Sequence, residues 1–489
     1  MAGINELRTD RLRKLDLLEK AGFPSFPPRT NRSIELGALL NNFDDHVAQA
    51  VELTIAGRVV GLRKHGAALF ADVTDGTGKL QLYCKEDVIG ERAFQIFNEA
   101  VDLGDFIEAK GLTMRTQRGE PSLELRAWSP LGKALLPLPE KFHGLIDEEE
   151  RYRKRYLDLL QSEDLRALFV KKAKFWDVAR AFMKERDFLE VETPTLELTT
   201  GGAEARPFTT HHNDYDLKLH LRISVGELWQ KRLMAAGFPK TFEIGRVYRN
   251  EGSSPEHLQE FTNMEFYWAY ASYDEGMKLV EQLYRAIARE VFGTTAFTSK
   301  GKSFDLSNEW PRVDYREEVL KQTGLDVLET DEKLLRKKLD ELQVAYEGDN
   351  RERLTDTLWK HCRKSISGPA FLVHLPKLIA PLAKSVPNQL ELTESFKPII
   401  AGTEIGNGYS ELNDPLDQRA RFLLQQKLLA AGDEEAMMPD WDFVEMLEHG
   451  MPPTCGFGFG ERLFAVLSGV SLREATLFPL MRPKCGIAP

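Results

Sequence analysis

The sequence predicts an α+β fold in which a small β-barrel near the N-terminus precedes a larger domain of strands and helices. From Val51 apolar and polar residues alternate in "VELTIAGRVV", "AALFADVTDGTGKLQLYC" and "DFIEAKGLTM", with a typical hairpin turn at Asp75-Gly76. Further along, residues 165–186 have the spacing of an amphipathic helix, whereas "FEIGRVYR" alternates as a strand. Several short strands followed by mixed elements indicate α+β.

These patterns divide the 489 residues into four parts. We predict an N-terminal helix and extension at 1–50, the barrel at 51–135, a linker at 136–156 and a larger domain at 157–489. The linker contains the proline-rich stretch "LLPLPEKFHGL". Residues 311–365 carry many charges and few strand signals, so we expect a helical insertion there.

The barrel has the size of several small β folds, and an OB-fold is one candidate. If its aliphatic residues face the core, then Phe70, Gln81 and Tyr83 face outward. An exposed aromatic ring beside an amide suits stacking on an unpaired base and hydrogen bonding to its edge. The alternative, that these residues cover a neighbouring domain, has equal support from the pattern.

Composition narrows the class of protein. The chain is 42% hydrophobic with a net charge of −11, which is typical of a globular protein. No stretch holds the roughly 18 uninterrupted apolar residues of a membrane span, and the charged N-terminus does not resemble a secretory signal. We therefore expect a cytoplasmic protein. Its four cysteines, Cys84, Cys362, Cys455 and Cys485, lack zinc-site spacing and are interpreted as reduced and structural.

The most informative segment is "TFEIGRVYRNEGSSPEHLQEFTNMEFYWAY", which reads as two strands joined by a long polar loop. Alternation puts Glu243 and Arg249 on one face of the first strand, and Phe261, Glu265 and Tyr267 on one face of the second. An arginine near the loop can bind a phosphate or carboxylate in a fork, and Phe261 can stack on a base. A purely structural surface ion pair is the alternative.

A second polar strand is "TEIGNGYSE", where alternation puts Asn407, Tyr409 and Glu411 on one face. Glu404 then falls on the opposite face, although a bulge at the glycines 406 and 408 would redirect it. The alternative is a plain strand with Glu404 in solvent. Downstream, "TCGFGFGERLF" carries a Gly-x-Gly-x-Gly spacing that matches neither the dinucleotide fingerprint nor a P-loop.

Taken together, these blocks resemble a known family. "RVYRNEG" with "EFTNMEFYWAY" is similar to motif 2 of the class II aminoacyl-tRNA synthetases, "FLEVETPTL" to the end of motif 1, and "GFGFGERLF" to motif 3. "RYRKRYLDLL", "GGAEARPF" and "GTEIGNGYSELNDPLDQ" narrow the resemblance to the bacterial-type lysyl-tRNA synthetases. The resemblance implies an anticodon-binding OB-fold, a catalytic antiparallel sheet flanked by helices, and a homodimer.

The implied reaction attaches L-lysine to tRNA(Lys) through a lysyl-adenylate, with ATP as substrate and Mg²⁺ as cofactor. Such phosphoryl chemistry needs positioning and charge neutralisation more than a general base. By motif position, Arg249 and Arg462 are the expected catalytic residues, and both bind ATP. The other implied ATP-binding residues are Glu251, His257, Phe261 and Glu404, the last also as a magnesium ligand.

The implied lysine pocket has a physical rationale of its own. An ammonium removed from water needs carboxylates and hydrogen bonds in exchange. Glu265 and Glu411 would flank the ε-ammonium beside Tyr267, and Glu227 with Gly202 would meet the α-amino group. Asn407 and Tyr409 would line the pocket, while Phe70 and Gln81 of the barrel would read the anticodon.

Two positions depart from the family pattern. Where the family has a second acidic metal ligand this chain has Lys397, so we expect fewer protein ligands to magnesium. Motif 3 also lacks one residue before Glu461-Arg462, which makes the placement of Arg462 less certain. The alternatives are an aspartyl- or asparaginyl-tRNA synthetase, a stand-alone lysyl-transferase to a protein, or a non-catalytic, regulatory tRNA-binding paralogue.

Overall fold

The structure is a computed structural model. It describes residues 3–24, 26–66, 68–139, 147–203, 205–252, 254, 256–346, 348, 350–433 and 436–484. The chain divides into two compact units, Met1–Ile146 and Asp147–Pro489. Residues 140–146 of the predicted linker and Cys485 lie outside the described residues.

The first unit is built on a closed barrel of β1, β2, β3, β5 and β4 in that order, where β3 and β5 pair in parallel. Its strands are β1 (Glu52–His65), β2 (Ala68–Thr74), β3 (Lys79–Lys85), β4 (Phe106–Arg115) and β5 (Pro121–Gly132). Its helices are α1 (Ile4–Lys20), α2 (Leu36–Asn41), α3 (Phe43–Gln49), α4 (Glu86–Ile89) and α5 (Glu91–Ala100).

The hairpin turn predicted at Asp75-Gly76 is held by the aspartate side chain. Asp75 accepts hydrogen bonds from the backbone N–H groups of Thr77 and Gly78, at 2.9 and 3.2 Å. Gly76 has a φ of +90°, a backbone conformation that favours glycine. Local turn chemistry therefore sets the β2–β3 register, which pairs Phe70 with Tyr83 and Asp72 with Gln81.

The second unit contains a nine-stranded, mostly antiparallel sheet with helices against it. Its helices are α6 (Glu148–Arg153), α7 (Arg155–Gln161), α8 (Glu163–Lys184), α9 (Glu227–Ala235), α10 (Tyr273–Ile287, continued by a π-turn at Ala288–Phe292), α11 (Tyr315–Thr323), α12 (Glu332–Glu341), α13 (Arg351–Cys362), α14 (Pro415–Ala430), α15 (Trp441–Glu448) and α16 (Arg462–Ser468). The early strands are β6 (Leu189–Glu190), β7 (Leu196–Glu197), β8 (Thr209–His212), β9 (Leu217–Leu221), β10 (Lys240–Tyr248), β11 (Glu260–Ala269), β12 (Ala296–Ser299) and β13 (Lys302–Asp305).

The later strands complete the sheet. They are β14 (Arg312–Asp314), β15 (Ala370–Val373), β16 (Ser385–Val386), β17 (Gln389–Thr393), β18 (Ser395–Ile400), β19 (Thr403–Glu404), β20 (Asn407–Ser410) and β21 (Thr454–Gly460). The strand order is β14, β15, β18, β20, β21, β11, β10 and β6, with β19 paired to β18. Together with the barrel, this sheet confirms the predicted α+β fold.

The middle of this sheet has one apolar and one polar face. On β11, Met264 and Phe266 are fully buried in the apolar core, where Phe457 of β21 packs against Phe266. Because side chains alternate along a strand, the intervening residues Glu265 and Tyr267 project to the opposite face. The β10–β11 hairpin and β21 are therefore the platform for any site on that face.

The segment "FLEVETPTL" forms the two short strands β6 and β7, and the chain between them contains Pro194. The stretch 311–365 contains β14 and helices α11, α12 and α13. Among the described residues, no helix has both the length and the apolar character that crossing a membrane requires.

Candidate active site

The polar face of the sheet forms one wall of a cavity of about 330 Å³. Every site residue predicted in the larger domain lines this cavity, although they come from well-separated stretches of sequence. They are Gly202, Glu227, Arg249, Glu251, His257, Phe261, Glu265, Tyr267, Glu404, Asn407, Tyr409, Glu411 and Arg462. The structure thus brings them together, and their individual roles stay predictions.

One end of the cavity, the carboxylate end, holds Glu227, Glu265 and Glu411, which are all buried. Between two of them lies a cation that the sequence analysis missed. The Lys231 ammonium is 2.7 Å from the Glu227 carboxylate and 2.5 Å from that of Glu411. Lys231 follows Glu227 by one helical turn on α9, and this i,i+4 spacing was the available sequence signal.

The third carboxylate of this end has no lysine partner. Glu265 accepts hydrogen bonds from the Val225 N–H at 2.7 Å and from the Tyr267 hydroxyl at 3.1 Å. Burial, and then the nearby Glu227 carboxylate, raise the pKa of Glu265 to about 7. Three carboxylates with one ammonium leave this end short of positive charge.

Glycines of β21 make room for these side chains. Gly456 lies opposite Tyr267 and Gly458 opposite Glu265 in the β11–β21 pairing. A Cβ at Gly456 would lie 2.0 Å from a Glu411 carboxylate oxygen, and one at Gly458 would lie 2.8 Å from the Glu265 Cγ. The Gly-x-Gly-x-Gly spacing therefore follows the alternation of strand β21. The glycines are the residues that face the carboxylate end, where the strand presents backbone without side chains.

The other end of the cavity, the cationic end, is dominated by arginines. The Arg249 guanidinium lies over the Phe261 ring, 5.4 Å from its centroid, and its Nε donates to the Ile223 carbonyl. The part of the chain that the structure describes offers Arg249 no carboxylate within 4 Å, and burial lowers its pKa. A half-buried cation of this kind is suited to an anionic ligand.

The shortened motif 3 still delivers Arg462 to this end. Strand β21 ends at Gly460 and α16 begins at Arg462, so Glu461 alone makes the turn. The Glu461 carboxylate accepts from the Thr262 N–H at 3.0 Å and from the Lys172 ammonium at 2.7 Å. Arg462 donates to the backbone carbonyls of Glu404 and Glu256, both at 3.4 Å.

His257 lies in the same region, and its Nδ1 is 2.8 Å from the Ser254 hydroxyl. Burial and then the charge of Arg462 lower the pKa of His257. A neutral imidazole at pH 7 can offer a hydrogen bond but not a positive charge, so His257 is a poor electrostatic partner for phosphates.

Glu404 faces the cavity, and the alternative that leaves it in solvent is wrong. The chain leaves the strand pattern after β19 and resumes it at β20, which removes Glu404 from strict alternation. Its carboxylate accepts hydrogen bonds from Trp359 Nε1 at 2.6 Å and from the Lys397 ammonium at 3.0 Å, and it forms an ion pair with Arg363 at 3.3 Å. Although burial opposes the shift, Lys397 and then Arg363 hold the pKa of Glu404 at about 2.

These contacts do not fit the predicted role of Glu404 as a magnesium ligand. Both of its carboxylate oxygens are already engaged, and two of the three donors are cations. Across the residues that the structure describes, no group of three or more His, Cys, Asp or Glu side chains is arranged to hold a metal ion. The expectation of fewer magnesium ligands stays a prediction, and the contacts of Glu404 with Arg363 and Trp359 were not foreseen.

Glu243 lies opposite Glu265 in the β10–β11 pairing, so its side chain is on the polar face that alternation assigned to it. The buried Glu243 carboxylate pairs with Arg222 at 2.6 Å and accepts from the Thr193 hydroxyl at 2.6 Å. Glu243 is therefore a structural group, and Glu265 is the carboxylate that reaches the cavity.

On the barrel, the outward residues form a small aromatic surface. Phe70 and Tyr83 stack with centroids 5.0 Å apart, and the Lys85 ammonium lies 4.8 Å from the Tyr83 ring centroid. The Gln81 side-chain oxygen accepts a hydrogen bond from the Ser122 hydroxyl. All three outward residues are half-buried, so ring and amide edges remain accessible.

Comparison with known proteins agrees with both units. Residues 147–482 match the family described as tRNA synthetases class II (D, K and N), and residues 53–131 match the OB-fold nucleic acid binding domain. A lysine–tRNA ligase from Roseiflexus sp. (strain RS-1) is 43% identical over 98% of this chain and 99% of its own length. The chain belongs to the class II lysine–tRNA ligase family.

Other members of this family are similarly close. A lysine–tRNA ligase from Moorella thermoacetica is 42% identical over 98% of each chain, and one from Thermotoga sp. (strain RQ2) is 40% identical over 98% of this chain and 97% of its own. The resemblance noted in the sequence is thereby confirmed. The aspartyl and asparaginyl alternatives are not favoured, because these relatives are lysine–tRNA ligases over their whole length.

Proposed function

We propose that this chain attaches L-lysine to tRNA(Lys) in two ATP-dependent steps. The lysine carboxylate attacks the α-phosphate of ATP, which forms lysyl-adenylate and releases pyrophosphate. The lysyl group then passes to the 3′-terminal adenosine of the tRNA. The observation that carries this proposal is the polarity of one cavity, with buried carboxylates at one end and half-buried guanidinium groups at the other.

Lysine selection follows from the carboxylate end. Glu265, Glu411 and Tyr267 surround the ε-ammonium of the substrate lysine. Its α-amino group contacts Glu227 and Gly202. Asn407 and Tyr409 line the rest of the pocket. Since Lys231 neutralises only part of this charge, a ligand ammonium is stabilised there. An acidic substrate such as aspartate would meet like charge at the same place.

Adenylate formation belongs to the cationic end. Arg249 holds the α-phosphate and the lysine carboxylate, and it is the residue best suited to stabilise charge that develops in the transition state. Phe261 stacks on the adenine, Arg462 contacts its other face or the γ-phosphate, and Glu251 contacts the adenine edge. His257 contributes at most a hydrogen bond. Positioning of the two substrates supplies most of the acceleration.

Magnesium enters this scheme as the counter-ion of ATP. Bound to ATP, a divalent ion would neutralise part of the phosphate charge. No step is assigned to a protein-held metal at Glu404, whose carboxylate is taken by Trp359, Lys397 and Arg363.

The barrel supplies tRNA recognition. Phe70 stacks on an anticodon base and Gln81 reads its edge, supported by the aromatic pair with Tyr83 and the adjacent Lys85. This assignment predicts that Phe70→Ala raises the KM for tRNA(Lys) and leaves lysine activation unchanged. Because the charged tRNA serves protein synthesis, the cytoplasm is the proposed compartment.

A homodimer is the proposed assembly. Support comes from apolar side chains that are exposed on and after α8, namely Val170, Leu189, Leu196 and Leu198. Several exposed aliphatic side chains in one part of the sequence favour an interface with another chain there. Sedimentation should give a dimer for the wild type and a shift to monomer for Leu198→Glu.

Lysine-dependent exchange of labelled pyrophosphate into ATP tests the activity. We expect exchange with lysine, and none with aspartate, asparagine or arginine at the same concentration. The non-catalytic, regulatory paralogue would bind tRNA(Lys) and give no exchange with any amino acid. Exchange that responds best to aspartate or asparagine would instead favour the related synthetases.

A further inference from the structure

We propose that Lys397 and Arg363 act as fixed cations for the triphosphate of ATP, at the place where a protein-held divalent ion would otherwise bind. The inference rests on the proposed ATP site at the cationic end of the cavity. Lys397 lies on β18 and Arg363 just after α13, and the Glu404 carboxylate forms an ion pair with each of them.

Lys397 has the exposure and the free bonding capacity for this role. Its side chain lines the cavity and is 18% exposed, so the ammonium reaches solvent and ligand. Among the described residues its single hydrogen bond goes to Glu404 at 3.0 Å. An ammonium carries three donors, and a phosphate oxygen can take one of the others.

Two neighbouring guanidinium groups also have unused donors. The Nε atoms of Arg363 and Arg462 are buried, and within the described part of the chain neither has a hydrogen-bond partner. An unpaired buried donor on a cation costs free energy unless a ligand supplies the acceptor. Both groups lie beside Glu404, since Arg363 pairs with its carboxylate and Arg462 with its carbonyl.

The charge at this place is the reverse of what a divalent ion needs. A metal ion bound at Glu404 would displace its existing donors and sit beside the Lys397 and Arg363 cations, which repel it. A triphosphate is attracted to the same arrangement. Glu404 therefore works as a positioning residue that keeps two cations together, rather than as a metal ligand.

Calorimetric binding of the non-reacting analogue α,β-methylene-ATP tests this inference, first in EDTA and then with excess Mg²⁺. We expect the wild type to bind in EDTA within about threefold of its affinity with Mg²⁺, since the fixed cations already offset phosphate charge. Lys397→Glu should bind about 10- to 100-fold more weakly in EDTA, and Mg²⁺ should restore most of that loss. Lys337→Gln is the matched control, because Lys337 is an exposed lysine of α12 that pairs with Glu341.

Two results would overturn the inference. One is a wild type that binds the analogue only with Mg²⁺. The other is a Lys397→Met variant with unchanged binding in EDTA and a lowered melting temperature, which would make the cluster a structural brace. If the Lys397 variants fail to fold, the inference is tested by analogue binding to Arg363→Gln in EDTA and by the wild-type affinities with and without Mg²⁺. Absence of lysine-dependent pyrophosphate exchange with Mg²⁺ would instead refute the proposed function.

Discussion

The two ends of the cavity are built on opposite charge patterns. At the carboxylate end, the Lys231 ammonium lies between Glu227 and Glu411. At the cationic end, the Glu404 carboxylate lies between Lys397 and Arg363. Each end therefore encloses one group of the opposite sign.

This comparison explains how a protein keeps like charges buried before its substrates arrive. Bringing several carboxylates together in a low-dielectric site is costly, and one embedded ammonium reduces that cost without cancelling the charge. The same holds for the cations around Glu404. The remaining charge of each end is then available for a ligand of opposite sign, an ammonium at one end and phosphate groups at the other.

The largest expected effect comes from removing Arg249, a cation of the cavity for which the described residues provide no carboxylate within 4 Å. Arg249→Gln should lower kcat/KM for lysine-dependent pyrophosphate exchange by roughly 100- to 1,000-fold, because a preorganised donor to the developing charge is lost. Arg246→Gln is the control, since Arg246 lies on β10 three residues before Arg249, is about half exposed and pairs with Glu260 and Glu461. Equal effects of the two variants would contradict the role assigned to Arg249.

At the opposite end the charge can be removed with little change in shape. Glu265→Gln should raise the KM for lysine by about 10- to 100-fold, because an amide replaces a charge-assisted partner of the ammonium. The KM for ATP should stay close to the wild-type value. The decisive measurement is therefore the change in the KM for lysine relative to the change in the KM for ATP. A parallel rise in both KM values would mean that the two ends are not independent.

The pH dependence of lysine capture should report the same carboxylate. Burial and Glu227 raise the pKa of Glu265 to about 7, so below that pH the group is protonated and neutral. Only the ionised form attracts an ammonium, and kcat/KM for lysine should therefore rise with pH through about 7, falling about tenfold per unit below it. In Glu265→Gln this inflection should be absent; its persistence there would assign the titration to another group.

Local patterns predicted much of the site. Alternation along β11 and β20 put Phe261, Glu265, Tyr267, Asn407 and Glu411 on the correct faces, since the period of two follows directly from strand geometry. The barrel was predictable for the same reason, helped by its Asp75-Gly76 turn. Alternation also put Glu243 on this face, but it could not show that Arg222 and Thr193, which lie outside the hairpin, would engage its carboxylate.

Long-range neighbours were not predictable in this way. Trp359 and Arg363 reach Glu404 across about 40 residues of sequence, from helix α13 and the turn after it, in a stretch whose pattern showed only helices. Lys231 was recognisable as a turn-neighbour of Glu227, but its second partner Glu411 lies in a distant strand segment. The order of strands in the sheet also depends on long-range pairing, which the periodicity of the sequence cannot predict.

The smallest expected effect concerns a group that belongs to neither charge pattern. The Phe261 ring lies under the Arg249 guanidinium, so it both supports that cation and offers a face to the adenine. Phe261→Leu keeps an apolar side chain and should raise the KM for ATP by roughly two- to tenfold, with the KM for lysine unchanged. Phe238→Leu, at an exposed phenylalanine outside the cavity lining, is the control. A loss as large as that of Arg249→Gln would instead mean that the ring chiefly positions the arginine, and the cationic end would then depend on aromatic support as much as on charge.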